Sequence, residues 1–158
     1  NIYNELIKNY CVGILTAVIR KKFYLKLEKK FDERFTIIED FDFFLRLSKL
    51  CFFESVQEPL AYYRLHGGNL STIKKGQAIV EYEEWFNENK ADLNVDDKRN
   101  LQKNIDNRKF VNSKIYGRYK ECLNMLIKST SNTFTIKNLI ILFTPVALLK
   151  RILWYHQD

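Results

Sequence analysis

The sequence predicts an α/β half followed by a mainly α-helical C-terminal region, and three observations carry that expectation. Residues 11–19 are almost all apolar and rich in β-branched side chains, as a buried strand is. Two further short stretches, 51–56 and 60–65, have strand composition on either side of Pro59. From residue 72 onward the apolar positions recur at helical spacing instead. The boundary therefore falls near Ser71–Ile73, separating residues 1–71 from residues 72–158.

In chain order, Ile2, Tyr3, Leu6, Ile7 and Tyr10 share helical spacing and predict a short helix over residues 1–10. Val12, Ile14, Thr16, Val18 and Ile19 form the β-branched run, which turns polar at Arg20-Lys21-Lys22. Phe31-Asp32-Glu33-Arg34-Phe35 reads as a polar loop pinned by two aromatic anchors. It leads into Ile38-Glu39-Asp40-Phe41-Asp42-Phe43-Phe44-Leu45-Arg46-Leu47, in which three carboxylates precede a very apolar segment. Acidic side chains are favoured beside the unpaired N–H groups of a helix start, so a helix is predicted from about Glu39 to Leu50. At that spacing Asp42 and Arg46 form an acid-before-base pair, Phe41, Phe44 and Leu45 share a face, and Asp40 is left free. In the strand from Leu60 to Leu65, Leu60, Tyr62 and Arg64 alternate with Ala61, Tyr63 and Leu65 before His66-Gly67-Gly68-Asn69 turns the chain.

Beyond that turn, Ala78, Ile79, Tyr82, Trp85 and Phe86 make a buried helical stripe. Asn94 with Asp96 and Asp97 marks a new helix start, and apolar residues through Leu126 predict a long helix or a broken pair. A polar break, Ser129 to Thr133, precedes an apolar run from Leu139 to Leu149 that is interrupted at Thr144-Pro145. The run is too short to cross a bilayer, and Pro145 divides it into two helices. Lys137, Lys150 and Arg151 flank it and Trp154-Tyr155 follow, a pattern suited to the interface of an anionic membrane.

With 46% apolar and 28% charged residues, the chain has the composition of a globular protein. The net charge of +7 leans to residues 72–158, which hold 15 Lys/Arg against 10 Asp/Glu and so favour an anionic surface. No nucleic-acid-binding module stands out, so no nucleic-acid partner is expected. Cys11, Cys51 and Cys122 lack metal-ligand spacing and read as packing residues of a reduced, cytoplasmic protein. The scattered glycines form no phosphate cradle, and no Ser/His/Asp or Cys/His arrangement is present.

Taken together, Phe31-Asp32-Glu33-Arg34-Phe35, the Glu39-Asp40 helix, Glu58-Pro59-Leu60, Tyr63-Arg64-Leu65-His66 and Asn69-Leu70-Ser71 resemble the second half of a family-2 glycosyltransferase catalytic domain. The resemblance covers residues 10–71 and implies an incomplete, Rossmann-like A-type sheet, with the nucleotide-binding half expected before residue 1. It implies an inverting, metal-dependent enzyme of bacterial polysaccharide synthesis that transfers a sugar from a nucleotide-sugar donor to a glycan or lipid-linked acceptor. These residues alone would then be inactive. By resemblance Asp40 is the catalytic base, and Glu39 orients acceptor hydroxyls or holds the base. Arg64 and Asp42 fall to substrate binding, and His66 reaches Mn²⁺ or Mg²⁺ and the departing diphosphate. Leu27-Glu28-Lys29-Lys30 departs from the family, which often has glycines there.

The expected setting is cytoplasmic, peripheral at the inner face of a membrane. A half sheet would leave an apolar edge, so a second copy of the chain is a further expected partner. The alternative reading is a noncatalytic helical module that docks on a membrane or a partner.

Overall fold

In the computed structural model, which describes residues 2–64, 66, 68–128 and 136–155, every regular element is helical. The helices are α1 (Tyr3–Lys8), α2 (Lys21–Lys26), α3 (Glu39–Ser48), α4 (Leu70–Ile73), α5 (Lys75–Asn89), α6 (Val95–Ile115), α7 (Tyr119–Lys128), α8 (Ile136–Phe143) and α9 (Val146–Tyr155). By compactness the chain divides into residues 1–101 and 102–158, and α6 runs through the division.

The α/β half predicted from the sequence is not formed: no strand, and so no Rossmann-like sheet, occurs among the described residues. Residues 11–19 instead hold a 3-10 turn at Ile14–Thr16, closed by the Thr16 N–H and hydroxyl donating to the Gly13 carbonyl, each at 3.1 Å. Val12, Ala17 and Ile19 pack inward, whereas Val18 is 98% exposed. The stretches 51–56 and 60–64 carry no regular structure, and Tyr62 is fully exposed; Leu65 lies outside the described residues. β-branched and aromatic residues suit a pleated, half-buried surface, but a strand also needs a neighbour for its N–H and C=O groups. Among the described residues none of the three segments has one. The expectation that all three cysteines pack is also corrected, since Cys11 is exposed while Cys122 is buried.

In the first unit α3 lies at the centre. Phe41, Phe43, Phe44, Leu45 and Leu47 are all buried, the state of a helix enclosed on several sides. Phe41 meets Tyr10, Tyr82 and Trp85 edge-on, with ring centroids 5.5, 5.0 and 5.1 Å away. Phe43, Phe44 and Leu47 close on Leu27, surrounded by Phe23, Tyr24 and Phe53. Phe31 stacks on Phe43 at 4.4 Å and Phe35 is buried, so two aromatics do pin the polar loop between them.

Hydrogen bonds set the position of this helix. Glu81 of α5 is 4% exposed, and its carboxylate accepts the backbone N–H groups of Thr36, Ile37 and Ile38 at 3.1, 2.9 and 3.1 Å. No side chain caps α3 at Ile38, so Glu81 holds the chain from outside where it enters the helix. Within the loop, Asp32 is buried beside Arg34 and Lys29, and hydrogen bonds from Arg34 above all hold its carboxyl far below the usual range. Arg34 also donates to Glu88 of α5, at 2.6 and 3.0 Å.

In the second unit the predicted long helix is the broken pair α6 and α7. Gly117, at φ 70°, stops α6 with two bonds of a left-handed cap: its N–H donates to Lys114 and the Arg118 N–H to Ser113. The start of α6 belongs to the first unit, and there Asn94 Oδ1 accepts the Asp97 N–H at 2.8 Å, the cap the sequence suggests. Asn138 of α8 donates to Asn107 Oδ1 at 3.0 Å, and Lys114 Nζ to the Leu142 carbonyl at 2.6 Å. The break at Thr144-Pro145 falls where Pro cannot continue a helix, and the Pro145 carbonyl accepts the first bond of α9 from Leu149. The polar break Ser129 to Thr133 and the side chains of Trp154 and Tyr155 lie outside what is described.

Glu81→Ala leaves three backbone donors without their charged acceptor and is expected to cost about 3 kcal/mol in urea unfolding. Glu81→Gln retains one carbonyl oxygen and is expected to keep part of that stability.

Candidate active site

The first turn of α3 carries three carboxylates, and the fold gives them different surroundings. Asp42 is buried, and both of its oxygens are occupied. Trp85 Nε1 donates to Oδ1 at 2.9 Å, while Arg46 Nε and Nη2 donate to Oδ2 at 3.0 and 2.7 Å. Arg46 also donates to the carbonyls of Lys29 and Lys30, so the predicted Asp42–Arg46 pair forms and ties α3 to the preceding loop. Any substrate contact by Asp42 would have to displace these partners.

Asp40 and Glu39 lack such support. Asp40 Oδ1 accepts the N–H of Phe41 at 2.7 Å, yet burial raises the pKa of its carboxyl above the ordinary value. The buried Tyr10 hydroxyl is turned toward Asp40 without completing a hydrogen bond of ordinary geometry. Burial and the charge of Asp40 push that phenol far up. The Glu39 carboxyl is raised as well, first by burial and further by the negative charges of Asp40 and Glu81. Its Oε2 is buried with no hydrogen-bond partner. A helix N-terminus ordinarily favours ionised carboxylates, so burial is the stronger influence here. Neighbouring acids that bind protons more tightly than in water are suited to proton transfer.

Arg64 and His66 lie in the exposed stretch before α4. Asn69 organises it: its Nδ2 donates to the Tyr63 hydroxyl at 2.9 Å and the Arg64 carbonyl at 3.3 Å, and its Oδ1 accepts the His66 N–H at 2.7 Å. His66 Nδ1 accepts the Gly68 N–H at 3.2 Å. No hydrogen bond or ion pair joins Arg64 or His66 to Glu39 or Asp40, whereas the fold does bring Tyr10 to Asp40. Among the described residues no group of three or more His, Cys, Asp or Glu side chains could hold a metal ion. Within its turn His66 uses Nδ1, which leaves Nε2 as the ring nitrogen that could reach a cation.

No protein-family model, no curated protein and no solved structure matches the chain. The resemblance drawn from the motifs therefore stands on its residues alone.

Sequence reasoning passed over Glu81 and the pairing of Trp85 with Asp42. One signal was present: Ala78, Glu81, Tyr82 and Trp85 share a helix face, and a carboxylate on an apolar face needs a buried donor. Tyr10 appeared only as one of the helically spaced positions of the predicted 1–10 helix, and it lies beyond the end of α1 at Lys8.

A carboxyl whose folded-state pKa is raised loses stability as pH rises, because the folded chain holds the proton longer than the unfolded one. Asp40→Asn removes that penalty. In thermal unfolding across pH, the wild type is expected to lose ground to Asp40→Asn from about pH 4 upward and to level off above the raised value. A pH-independent difference between the two would remove burial as the cause.

Proposed function

We propose that this chain carries the acceptor-side proton-transfer site of an inverting glycosyltransferase, with Asp40 as general base. The observation that supports the reading is the pair Glu39 and Asp40: half-buried, raised in pKa, and left without the partners that neutralise Asp42. In this reading the acceptor hydroxyl loses its proton to Asp40 as its oxygen bonds to the anomeric carbon of a nucleotide sugar. The bond from that carbon to the diphosphate breaks, and the nucleoside diphosphate leaves with the electron pair. Attack from the face opposite the leaving group inverts the carbon. A raised pKa suits the base, since a carboxylate of higher proton affinity takes the hydroxyl proton more readily.

Glu39 offers an unpaired oxygen to a hydroxyl of the glycan or lipid-linked acceptor. The buried Tyr10 hydroxyl beside Asp40 positions the base. The reading covers the acceptor side of this single displacement and rests on this turn, not on a sheet. No step is routed through a divalent ion, and none is assigned to Arg64 or His66.

In the intact protein that contains these residues, nucleoside diphosphate release from nucleotide sugars measures the activity. Asp40→Asn is expected to lower turnover by about 10²-fold or more while donor affinity is unchanged. Retention of more than about a tenth of wild-type turnover overturns the assignment of the base.

A further inference from the structure

The second unit leaves an apolar helix surface uncovered beside basic residues. On α8, Asn138 is buried, while Ile140 and Phe143 lie on the opposite side at 62% and 82% exposed, with the exposed Leu139 flanking them. On α9, Leu149 is buried while Leu148 and Ile152 are exposed alongside Lys150 and Arg151. Lys137 is exposed near the start of α8, and residues 136–155 contain no Asp or Glu.

The charge around this surface favours one kind of occupant. Residues 102–158 hold 10 Lys/Arg against 3 Asp/Glu, and residues 1–101 hold 16 against 16. The whole net charge of +7 therefore belongs to the second unit. A second copy pressed onto the same surface would bring two such charges together, whereas anionic headgroups neutralise them. A nucleic acid would satisfy the cations but gains nothing from Leu139, Ile140 and Phe143. Spanning is excluded for these helices: α9 has 10 residues, roughly 15 Å of helix against the ~30 Å of a hydrocarbon core. No helix among the described residues is long and apolar enough to cross a membrane.

We infer that α8 and α9 are an interfacial anchor that lies in the plane of an anionic phospholipid surface. Leu139, Ile140 and Phe143 enter the acyl boundary, and Lys137, Lys150 and Arg151 meet the headgroups. The inference is independent of any role for Asp40.

Flotation of the full chain with vesicles of phosphatidylcholine, alone or mixed with phosphatidylglycerol, tests it. Recovery is expected with the mixed vesicles, weakened by high salt, and little with phosphatidylcholine alone. Ile140→Asp with Phe143→Asp is expected to abolish it. Lys150→Glu with Arg151→Glu is expected to reduce partitioning at least twentyfold, from about fivefold for each cation lost. Circular dichroism checks that each variant keeps its helices; should the double Asp variant lose them, Phe143→Gln carries the comparison. Unchanged flotation of a folded apolar-face variant overturns the inference, as does equal recovery on neutral and anionic vesicles. So does a wild-type dimer in light scattering that Phe143→Asp dissolves without any vesicle binding.

Discussion

The grip of the Glu81 carboxylate on three successive backbone amides, Thr36 to Ile38, is the interaction on which the first unit depends. Those amides are placed where the chain enters α3, partly buried and at Ile38 fully so, and leaving them without an acceptor would cost more than most side-chain contacts return. A carboxylate supplied by α5 answers three donors at once with charge-assisted bonds. A second strut sets the rotation of the helix. Asp42 is held from α5 by Trp85 and from its own helix by Arg46, which in turn reaches the Lys29 and Lys30 carbonyls.

With entry and rotation both held, the carboxylates of one helical turn are sorted by the partners available to them. Asp42 faces inward and is fully paired. Asp40 and Glu39 point elsewhere, into places where burial is incomplete and donors are few. Asp32, one loop earlier, shows the opposite outcome, because Arg34 and Lys29 stabilise its ionised form. The same type of group thus serves stability in one place and is kept proton-hungry in another. Local unsatisfied polarity in an otherwise well-paired fold is where a functional site is expected, since the rest of the structure must carry its cost.

The two units differ as plainly in charge as in packing. Residues 1–101 are neutral in sum and organise around buried aromatics on α3, whereas residues 102–158 hold all of the excess positive charge. In that second unit α8 and α9 bury one side each while exposing leucine, isoleucine and phenylalanine on another. An apolar face that the rest of a unit does not cover, bordered by cations, is a property of that unit's sequence composition more than of its fold.

The features legible in the sequence are those with a local physical cause. The α3 start follows from Glu39, Asp40 and Asp42 beside unpaired N–H groups, the α6 start from the Asn94 cap, and the division of α8 from α9 from Pro145, which lacks a donor. The pairing of Asp42 with Arg46 and the pinning of the 31–35 loop by Phe31 and Phe35 are likewise short-range. The strand readings at 11–19, 51–56 and 60–65 went beyond local cause, because composition shows which residues suit a strand but not whether a neighbouring strand exists. Tertiary structure alone decided that Glu81 would hold the chain at Thr36 and that Trp85 would complete the shell of Asp42. Both bonds join residues more than forty positions apart, and nothing in a helical stripe states which distant donors will be buried against it.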